Sequence, residues 1–297
     1  MANPTAAVTR GEAAYQALRR QRRLTTLGGT ALVLACLLVS AWISEFYPAT
    51  LAAGAPRVGE YFAKLIPTLH WANLFGPMSE TGTSGSLADW FYRADKWLWL
   101  IFETSQMAAL GTLAGAAAAF LLAFPAARNL APAPWLYHLA RRGLEAVRTV
   151  PEIVYALIFV WAFGVGPLAG ILAIALHTAG ALGKLFAEVI ENAEMKPWEG
   201  LRASGANWAQ SCRYAILPQV LPNLISYILL RFEINVRGAS VIGFVGAGGI
   251  GQELYLVIAQ NYYEEISAIV VLIVLTVFLI DMLSEKLRHR AIGAEGH

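Results

Sequence analysis

Four polar residues interrupt one apolar stretch of this sequence, namely Arg231, Glu233, Asn235 and Arg237. Burying an ionisable side chain at the centre of a membrane costs roughly 2.5–3.5 kcal/mol, so such residues are candidates for function. Glu233 lies four residues before Arg237, which is the favourable order for an ion pair along a helix. We predict a structural ion pair for these two and a role in a solute pathway for Arg231 and Asn235. Pairing within or between helices is an equally good explanation of all four.

Two further ionisable residues in apolar stretches are candidates for the same pathway. Glu152 follows Pro151 at the start of one stretch, where a proline and an acid both suit the first turn of a helix. His177 lies inside the next stretch, beside Thr178. A helix cap would also account for Glu152, and a buried hydrogen bond would also account for His177.

Glycines dominate residues 246–251, which satisfy the pattern G-x-G-x-x-G. A dinucleotide site requires this pattern between a strand and a helix of a βαβ unit, and no such unit is indicated here. Glycine permits positive φ, and irregular backbone at membrane depth occurs where it is buried or lines a cavity. We predict a non-helical turn at the outer end of the preceding span, with a plain tight connection as the alternative. The gate would be formed by Gly246, Gly248, Gly249 and Gly251.

Cysteine and histidine offer no metal site in this sequence. Cys36 lies in an apolar run and Cys212 in a polar one, so a disulfide between them is not expected. No phosphate-binding loop of the G-x-x-x-x-G-K-[ST] type occurs either. We therefore predict that the chain has no metal, cofactor or catalytic residue of its own.

The composition places these candidate residues in a membrane. The chain has 297 residues, of which 57% are hydrophobic and 14% are charged, with a mean hydropathy of +0.54. Soluble domains carry about 25% charged residues, and disordered chains are poorer in apolar ones. The net charge of +2 is too small for a surface that binds nucleic acid. We predict an all-α integral membrane protein that contacts the lipid bilayer.

The apolar residues fall into stretches that predict about six transmembrane helices, since about 20 apolar residues cross a bilayer. These stretches cover approximately residues 24–43, 98–124, 150–163, 167–187, 220–236 and 266–283. Only residues 164–166 separate the third stretch from the fourth, which predicts a tight antiparallel hairpin. We expect an N-terminal part, 1–97, with the first helix and a long outer loop, and a core permease-like part, 98–297.

Lysine and arginine are distributed unevenly between the loops. Fifteen of them fall in the segments 1–23, 125–149, 188–218 and 283–297, and four fall in the other loops, at about a third of the density. Loops rich in Lys and Arg remain in the cytoplasm, so both termini are predicted to be cytoplasmic. Segment 45–97 is then outside, and its aromatic residues predict short interfacial helices that anchor in the headgroups or contact a partner.

The segment 188–218 is long, polar and predicted to be cytoplasmic. Pro197 suits the start of a short helix over about residues 194–206. Gly205 and Ala206 then leave a notch of small residues that another chain can approach closely. We predict a short, compact helix with a charged face. Movement of a partner bound to this helix would be passed to the adjoining spans. A helix lying on the membrane surface is the alternative.

This segment resembles the EAA signature of the permeases of type I ABC importers. The positions in register with the signature are Glu199, Gly205, Leu217 and Pro218, whereas Gly200, Leu201 and Ala215 depart from it. The resemblance implies a coupling helix that binds a groove of a cytoplasmic ATPase. The residues it assigns to this coupling are Glu199, Arg202, Ala203, Gly205, Ala206, Leu217 and Pro218.

Residues from about 148 to 290 are similar to the phosphonate-type subfamily of these permeases, most specifically at 231–237 and 243–251. The resemblance implies a non-catalytic translocation subunit of the bacterial inner membrane. Its implied partners are a second permease copy or a paralogue, two ATPase subunits that carry ATP and Mg, and a periplasmic substrate-binding protein.

The implied cargo is a small phosphorus oxyanion. Phosphonate is the first expectation, and phosphite, hypophosphite and phosphate stay open. An amino-acid or methionine-type permease of the same superfamily is one alternative, and an ATP-independent channel or secondary carrier is another.

Overall fold

The computed structural model describes residues 4–78 and 85–293, with side chains described over 15–78 and 85–289. Within these residues all regular structure is helical, as predicted. In chain order the α-helices are α1 (Pro4–Ile43), α2 (Pro48–Leu65), α3 (Leu87–Trp90), α4 (Ala94–Ala126), α5 (Pro134–Thr149), α6 (Glu152–Phe163), α7 (Pro167–Glu191), α8 (Lys196–Ala203), α9 (Trp208–Ser211), α10 (Leu217–Ile242), α11 (Gly249–Ala259) and α12 (Tyr263–Gly293). Short 3-10 turns cover Trp71–Asn73 and Gly243–Val245, and a π-helical turn covers Cys212–Ile216.

The number of membrane-spanning helices agrees with the sequence. Five of the described helices are long and apolar enough to cross a bilayer, and a sixth span results if α5 and α6 count as one. The predicted third span is nevertheless wrong as a simple span, because α6 has only 12 residues, about 18 Å, and meets α5 at 86°. Pro151 explains the break, because the residue before a proline avoids the helical conformation. Val150 is accordingly extended.

The chain forms two compact units, Met1–Lys64 and Leu65–His297. The first unit contains α1 and nearly all of α2. α1 has 40 residues, so the predicted first span is the C-terminal half of a longer helix that also carries the basic cluster 19–23. The unit boundary lies before the segment 65–97 rather than after it, because that segment is bonded to α11 and α12 of the second unit.

α4 and α7 run parallel at the centre of the second unit, and glycines bring them close together. A Cβ on Gly111 would lie 2.6 Å from Cγ2 of Ile174, and a Cβ on Gly115 would lie 2.6 Å from the carbonyl oxygen of Ala175. Small residues at helix interfaces are a general means of close packing in membranes. The small-residue stretch of α4 is therefore the surface on which α7 packs.

Two ends of the second unit can be defined from hydrogen bonds. Nε1 of Trp90, just before α4, donates to the carbonyl oxygen of Glu264, so α4 and α12 begin at the same end. We call this the predicted outer end. Nδ2 of Asn129, just after α4, donates to the carbonyl oxygen of Ile190, so α4 and α7 finish together at what we call the predicted inner end.

The segment 65–97 is bonded to the start of α12. The Tyr92 hydroxyl donates to Glu265 at 2.6 Å, and the Thr68 hydroxyl donates to Glu264 at 3.0 Å. Partial burial, together with the bond to Glu265, raises the pKa of Tyr92 above its usual value. The segment 45–97 contains helices, as predicted: α2 with 18 residues and the short α3 with four.

The glycine segment 246–251 lies deeper than the sequence predicted. The Ile250 backbone N–H donates to Oγ1 of Thr104 at 2.9 Å, and Thr104 is ten residues, about 15 Å, along α4 from its start. The predicted turn is present at the end of the fifth span, α10, and it lies level with Thr104 of α4 rather than with the start of α4. α10 ends at this depth because Gly246 and Gly248 adopt φ of +89° and +84°, and the 11 residues of α11 complete the path to α12.

Candidate functional site

Asn235 is the centre of a buried polar cluster that joins α4, α7 and α10. Its Nδ2 donates to Oγ1 of Thr112 at 2.7 Å and to Oγ1 of Thr178 at 2.9 Å, and its side chain is fully buried. Hydrogen bonds between side chains of neighbouring helices are a main means of fixing helices in membranes. One amide therefore holds three helices together.

Arg231 and Glu152 extend this cluster. Nε of Arg231 lies 3.5 Å from Oγ1 of Thr178, one turn of α10 before Asn235. The Glu152 carboxylate, on the first residue of α6, attracts the Arg231 guanidinium electrostatically. Both side chains are half-buried, so the helix bundle holds a cation and an anion close to its buried amide.

Two oxygen atoms of the cluster have no hydrogen-bond partner among the described residues. They are Oε1 of Glu152 and Oδ1 of Asn235, and both are buried. Buried polar atoms are normally paired with protein or with ordered water. These two atoms are therefore available to accept hydrogen bonds from a water molecule or a hydroxyl group that enters the cluster.

His177 lies next to Thr178 and contacts the break between α5 and α6. Its Nδ1 is 3.1 Å from the carbonyl oxygen of Val150. This is the buried hydrogen bond that the sequence allowed as an alternative to a pathway role. It ties α7 to the irregular residues that precede Glu152.

Glu233 contacts two arginines rather than one. Nη2 of Arg237 contacts Oε1 of Glu233 within α10, and Nη2 of Arg288, on α12, lies 3.4 Å from Oε2. The intrahelical pair expected from the spacing is therefore present. The additional contact with Arg288 could not be predicted from the sequence of α10 alone, because Arg288 lies on α12.

Backbone conformation and close packing explain the glycines of segment 246–251. Positive φ occurs at Gly246 (+89°), Gly248 (+84°) and Gly249 (+72°). A Cβ on Gly251 would lie 1.8 Å from the carbonyl oxygen of Ser240, so only glycine fits where α11 meets α10. The carbonyl oxygen of Gly246 accepts from the Gly166 backbone N–H at 2.9 Å, which holds the α6–α7 turn against the segment.

A cleft of about 360 Å³ lies beside the glycine segment and contains charged residues from α4 and α11. Lys96 Nζ lies 2.6 Å from Oε1 of Glu253, which is buried in the cleft wall. The cleft is separate from the Asn235 cluster, because Thr104 and Thr112 are eight residues apart on α4, about 12 Å. The predicted pathway residues thus form two groups at different depths.

The predicted coupling helix is α8, which is shorter than the range 194–206 expected from the sequence. Pro197 lies in its first turn, as predicted. Trp198 and Leu201 pack against the hydrophobic core at the predicted inner end. The opposite side of the helix is exposed and carries Glu199, Arg202 and Ala203.

Gly205 ends α8 with a φ of +92°. Its backbone N–H donates to the Arg202 carbonyl oxygen, and the Ala206 N–H donates to that of Leu201, which is the hydrogen-bond pattern of a Schellman cap. A Cβ on Gly205 would contact no other atom. The backbone conformation, rather than packing within the chain, therefore requires this glycine.

Leu217 and Pro218 form the first turn of α10, directly after the π-helical turn. The helix continues from the π-helical turn, since the Leu217 N–H donates to the Cys212 carbonyl oxygen. Pro218, which has no N–H to donate, lies directly after the point where the π-helical turn gives way to α-helix. Leu217 packs against the same core as α8. These two residues therefore connect the loop that carries α8 to a membrane-spanning helix.

Several contacts of the site were missed by reasoning from sequence. Thr112 and Gln219 were not singled out, although a hydroxyl within an apolar span requires a partner and is itself a signal. Arg288 was counted only as a loop charge. Among the described residues, no group of three or more His, Cys, Asp or Glu side chains could hold a metal ion.

Residues 111–289 match the sequence profile of the binding-protein-dependent transport system inner membrane component family. The chain is 38% identical to the phosphite transport system permease protein PtxC of Stutzerimonas stutzeri over 263 residues, which cover 88% of each chain. It is 35% identical to the phosphate-import permease protein PhnE of Mycolicibacterium smegmatis over 251 residues, 84% of this chain and 43% of that one. PhnE2 of Escherichia coli, from a cryptic phosphonate transport system, is 51% identical over 117 residues, 39% of this chain and 96% of that one.

Among solved structures, an inward-facing MetNI methionine ABC transporter is similar in fold. The TM-score is 0.59 at 22% sequence identity, and the match covers 72% of this chain and 99% of that chain. Likeness at this identity concerns the fold alone. The fold is that of a type I ABC importer permease, as the sequence predicted.

Proposed function

This chain belongs to the family of binding-protein-dependent transport system inner membrane components, and on this premise we propose that it is the permease of an ATP-driven importer of a small phosphorus oxyanion. It is a multi-pass protein of the bacterial inner membrane. The observation that carries the proposal is the structure of α8. It has an exposed face with Glu199 and is capped by Gly205, and these residues have the same spacing to Leu217 and Pro218 as in the EAA signature.

In this proposal α8 is the site of coupling to a cytoplasmic ATPase. Glu199, Arg202 and Ala203 form the exposed face that the ATPase binds. Gly205 and Ala206 fix the end of the helix, and Leu217 and Pro218 pass its movement to α10. ATP and Mg are held by the ATPase subunits, and this chain makes or breaks no covalent bond.

The substrate pathway in this proposal includes Arg231 and Asn235, with Glu152 and His177 beside them. A guanidinium attracts an oxyanion and can donate hydrogen bonds to it. Both N–H donors of Asn235 are engaged by Thr112 and Thr178, so in this proposal Asn235 holds the three helices that surround Arg231. Glu152 reduces the net positive charge, which suits transport because a solute bound too tightly does not leave. The deeper position of the glycine segment 246–251 suits a gate between this cluster and the outside.

The partners follow from the same proposal. A second copy or a paralogue completes the membrane part, and a periplasmic substrate-binding protein delivers the cargo at the predicted outer end. Relatives named for phosphite, phosphate and phosphonate support a phosphorus oxyanion as the cargo. Phosphonate, phosphite, phosphate and hypophosphite are the cargoes to compare.

The proposal is tested by measuring ATP hydrolysis and uptake by the purified complex in lipid vesicles. The complex is supplied with its binding protein, either empty or loaded with each of the four oxyanions or with methionine. Stimulation by one loaded oxyanion supports the proposal and identifies the cargo. Stimulation by methionine alone would indicate an amino-acid-type permease.

An ATP-independent channel or carrier makes the opposite prediction. Uptake would then proceed without ATP, and Glu199→Ala, on the exposed face of α8, would leave it unchanged. In the proposed importer this variant lowers uptake and ATPase association together.

A further inference from the structure

Resting on the proposed coupling role of α8, we infer that Gln219 is a positioning residue that makes α8 and the first turn of α10 move as one body. Gln219 lies in the first turn of α10, directly after Leu217 and Pro218. Its side chain reaches back to Glu194, two residues before α8 begins. It therefore joins the chain that enters α8 to the helix that follows it.

The Gln219 amide makes three hydrogen bonds, which use both of its functional groups. Oε1 accepts from the Glu194 backbone N–H at 3.0 Å, and Nε2 donates to the Glu194 carbonyl oxygen at 3.2 Å. Nε2 also donates to the carbonyl oxygen of Ala215 at 2.6 Å. A glutamine amide offers two donor hydrogens and one acceptor oxygen, so every group of this amide is engaged.

The bonded backbone is irregular and has few other partners. Glu194 lies between the last residue of α7 and the first residue of α8, where neither helix supplies hydrogen bonds to both its N–H and its C=O. Ala215 belongs to the π-helical turn that leads directly into α10, four residues before Gln219. One side chain thus joins the irregular chain at Glu194 to the start of α10.

This bond changes how α8 is attached to the membrane domain. After α8, the chain passes through α9 and the π-helical turn into α10. That connection, together with the packing of Trp198, Leu201 and Leu217 on one core, holds the C-terminal end of α8 against the start of α10. Gln219 adds a second attachment at the opposite end of α8. Because both ends of α8 are then held to the start of α10, the two helices move together.

Other hydrogen bonds near α8 lead elsewhere. Nε1 of Trp208 donates to the Leu130 carbonyl oxygen at 2.8 Å, and Asn129 contacts Ile190 and Met195. Both tie the loop to the connection between α4 and α5. Among the described hydrogen bonds, those of Gln219 are the ones that join the entrance of α8 to α10.

The test compares two glutamines of the same loop, each changed to glutamate in the full complex. Gln219→Glu removes both donated bonds and places a carboxylate beside two carbonyl oxygens. Gln210→Glu is the matched control, because Gln210 uses only Oε1 as an acceptor for the Asn207 N–H in a capping box, where glutamate serves equally well. Gln219→Leu, which is neutral, separates loss of the bonds from the effect of a new charge.

Two measurements are made on each variant. Amide hydrogen exchange at Glu194 reports the bond itself and does not depend on what the protein transports. The number of substrate molecules imported per ATP hydrolysed reports coupling, and it is unaffected if a variant only lowers the amount of folded protein.

We expect at least fivefold faster exchange at Glu194 and at least a threefold lower import per ATP for both Gln219 variants, with the Gln210→Glu values unchanged. Unchanged exchange at Glu194 in the Gln219 variants would contradict the hydrogen bonds between Gln219 and Glu194. Faster exchange with unchanged import per ATP would contradict the positioning role of Gln219. If the unaltered complex shows no ATP-driven import, the proposed function fails, and the exchange result still decides whether Gln219 fixes this segment.

Discussion

At the scale of residues, Thr178 is the point where the candidate pathway residues meet. Its hydroxyl contacts both Arg231 and Asn235, and the neighbouring His177 contacts the break before Glu152. Asn235 is fully buried and engaged with two threonines, whereas Arg231 is half-buried with one long contact at 3.5 Å. Arg231 is thus the member of the cluster with the most capacity left to bind an anion.

Changing Arg231→Gln is expected to lower uptake of the oxyanion about tenfold or more, because a hydrogen bond to a charged group contributes about 1.5–3 kcal/mol. ATPase activity of the complex without substrate should remain. The measurement is initial uptake rate against basal hydrolysis in lipid vesicles.

The control is Arg237→Gln, which removes the same charge from the same helix. Arg237 is exposed and Glu233 keeps Arg288 as its partner, so uptake should change by less than about twofold. Equal losses in both variants would contradict an assignment of the pathway to Arg231.

At the scale of elements, the ends of the helices carry much of the function. α8 has a proline in its first turn and is followed by a glycine in the left-handed region, so a few local residues influence where it starts and stops. α10 ends at the glycine segment, which breaks the path to the outside at the depth of Thr104. Irregular backbone at membrane depth requires partners for its polar groups. Here Thr104 accepts from the Ile250 N–H, in the first turn of α11, and the Gly166 N–H donates to the Gly246 carbonyl oxygen.

Gly205→Ala should destabilise the end of α8, because an L-residue in the left-handed conformation costs about 1–2 kcal/mol. Gly200→Ala, within the same helix and with open space around its Cβ, should stabilise α8 by about 0.5–1 kcal/mol. Amide exchange over α8 and ATP-driven uptake are the measurements. The cap assignment fails if the two alanines have the same effect.

Gly251→Ala should lower the thermal unfolding midpoint strongly, because its Cβ would lie 1.8 Å from the backbone oxygen of Ser240. Overpacking of this kind typically costs about 1–3 kcal/mol. Gly238→Ala is the comparison, since its Cβ would lie 3.4 Å from the flexible Glu152 carboxylate. Midpoints measured in detergent should fall for the first variant and change little for the second, and equal midpoints would argue against close packing of α10 and α11.

At the scale of the whole molecule, the two ends of the second unit differ in what they expose. The predicted outer end carries the segment 65–97, in which Trp71 and Phe75 are 90% and 89% exposed. The predicted inner end carries the charged face of α8. This asymmetry suits a protein that meets different partners on the two sides of a membrane.

The orientation can be tested with single cysteines in a variant that lacks Cys36 and Cys212. Trp71→Cys should react with a membrane-impermeant maleimide in intact cells, because Trp71 is exposed at the predicted outer end. Arg202→Cys should react only after the membrane is permeabilised. The reverse pattern would place the termini outside and overturn the orientation derived from the Lys and Arg distribution.

The amino-acid sequence by itself determined the helical class, the approximate number of long apolar helices and the position of α8, although not its exact limits. These features depend on local composition, on Pro197 and on Gly205, which act within a few residues of their own position. Tertiary structure decided the rest, because it concerns which helices become neighbours. The bond between Thr104 and Ile250 joins residues 146 apart and sets the depth of the glycine segment, and that between Thr178 and Asn235 joins residues 57 apart. Such distant pairs depend on how the glycine surfaces of α4 pack, and no single apolar stretch contains that information.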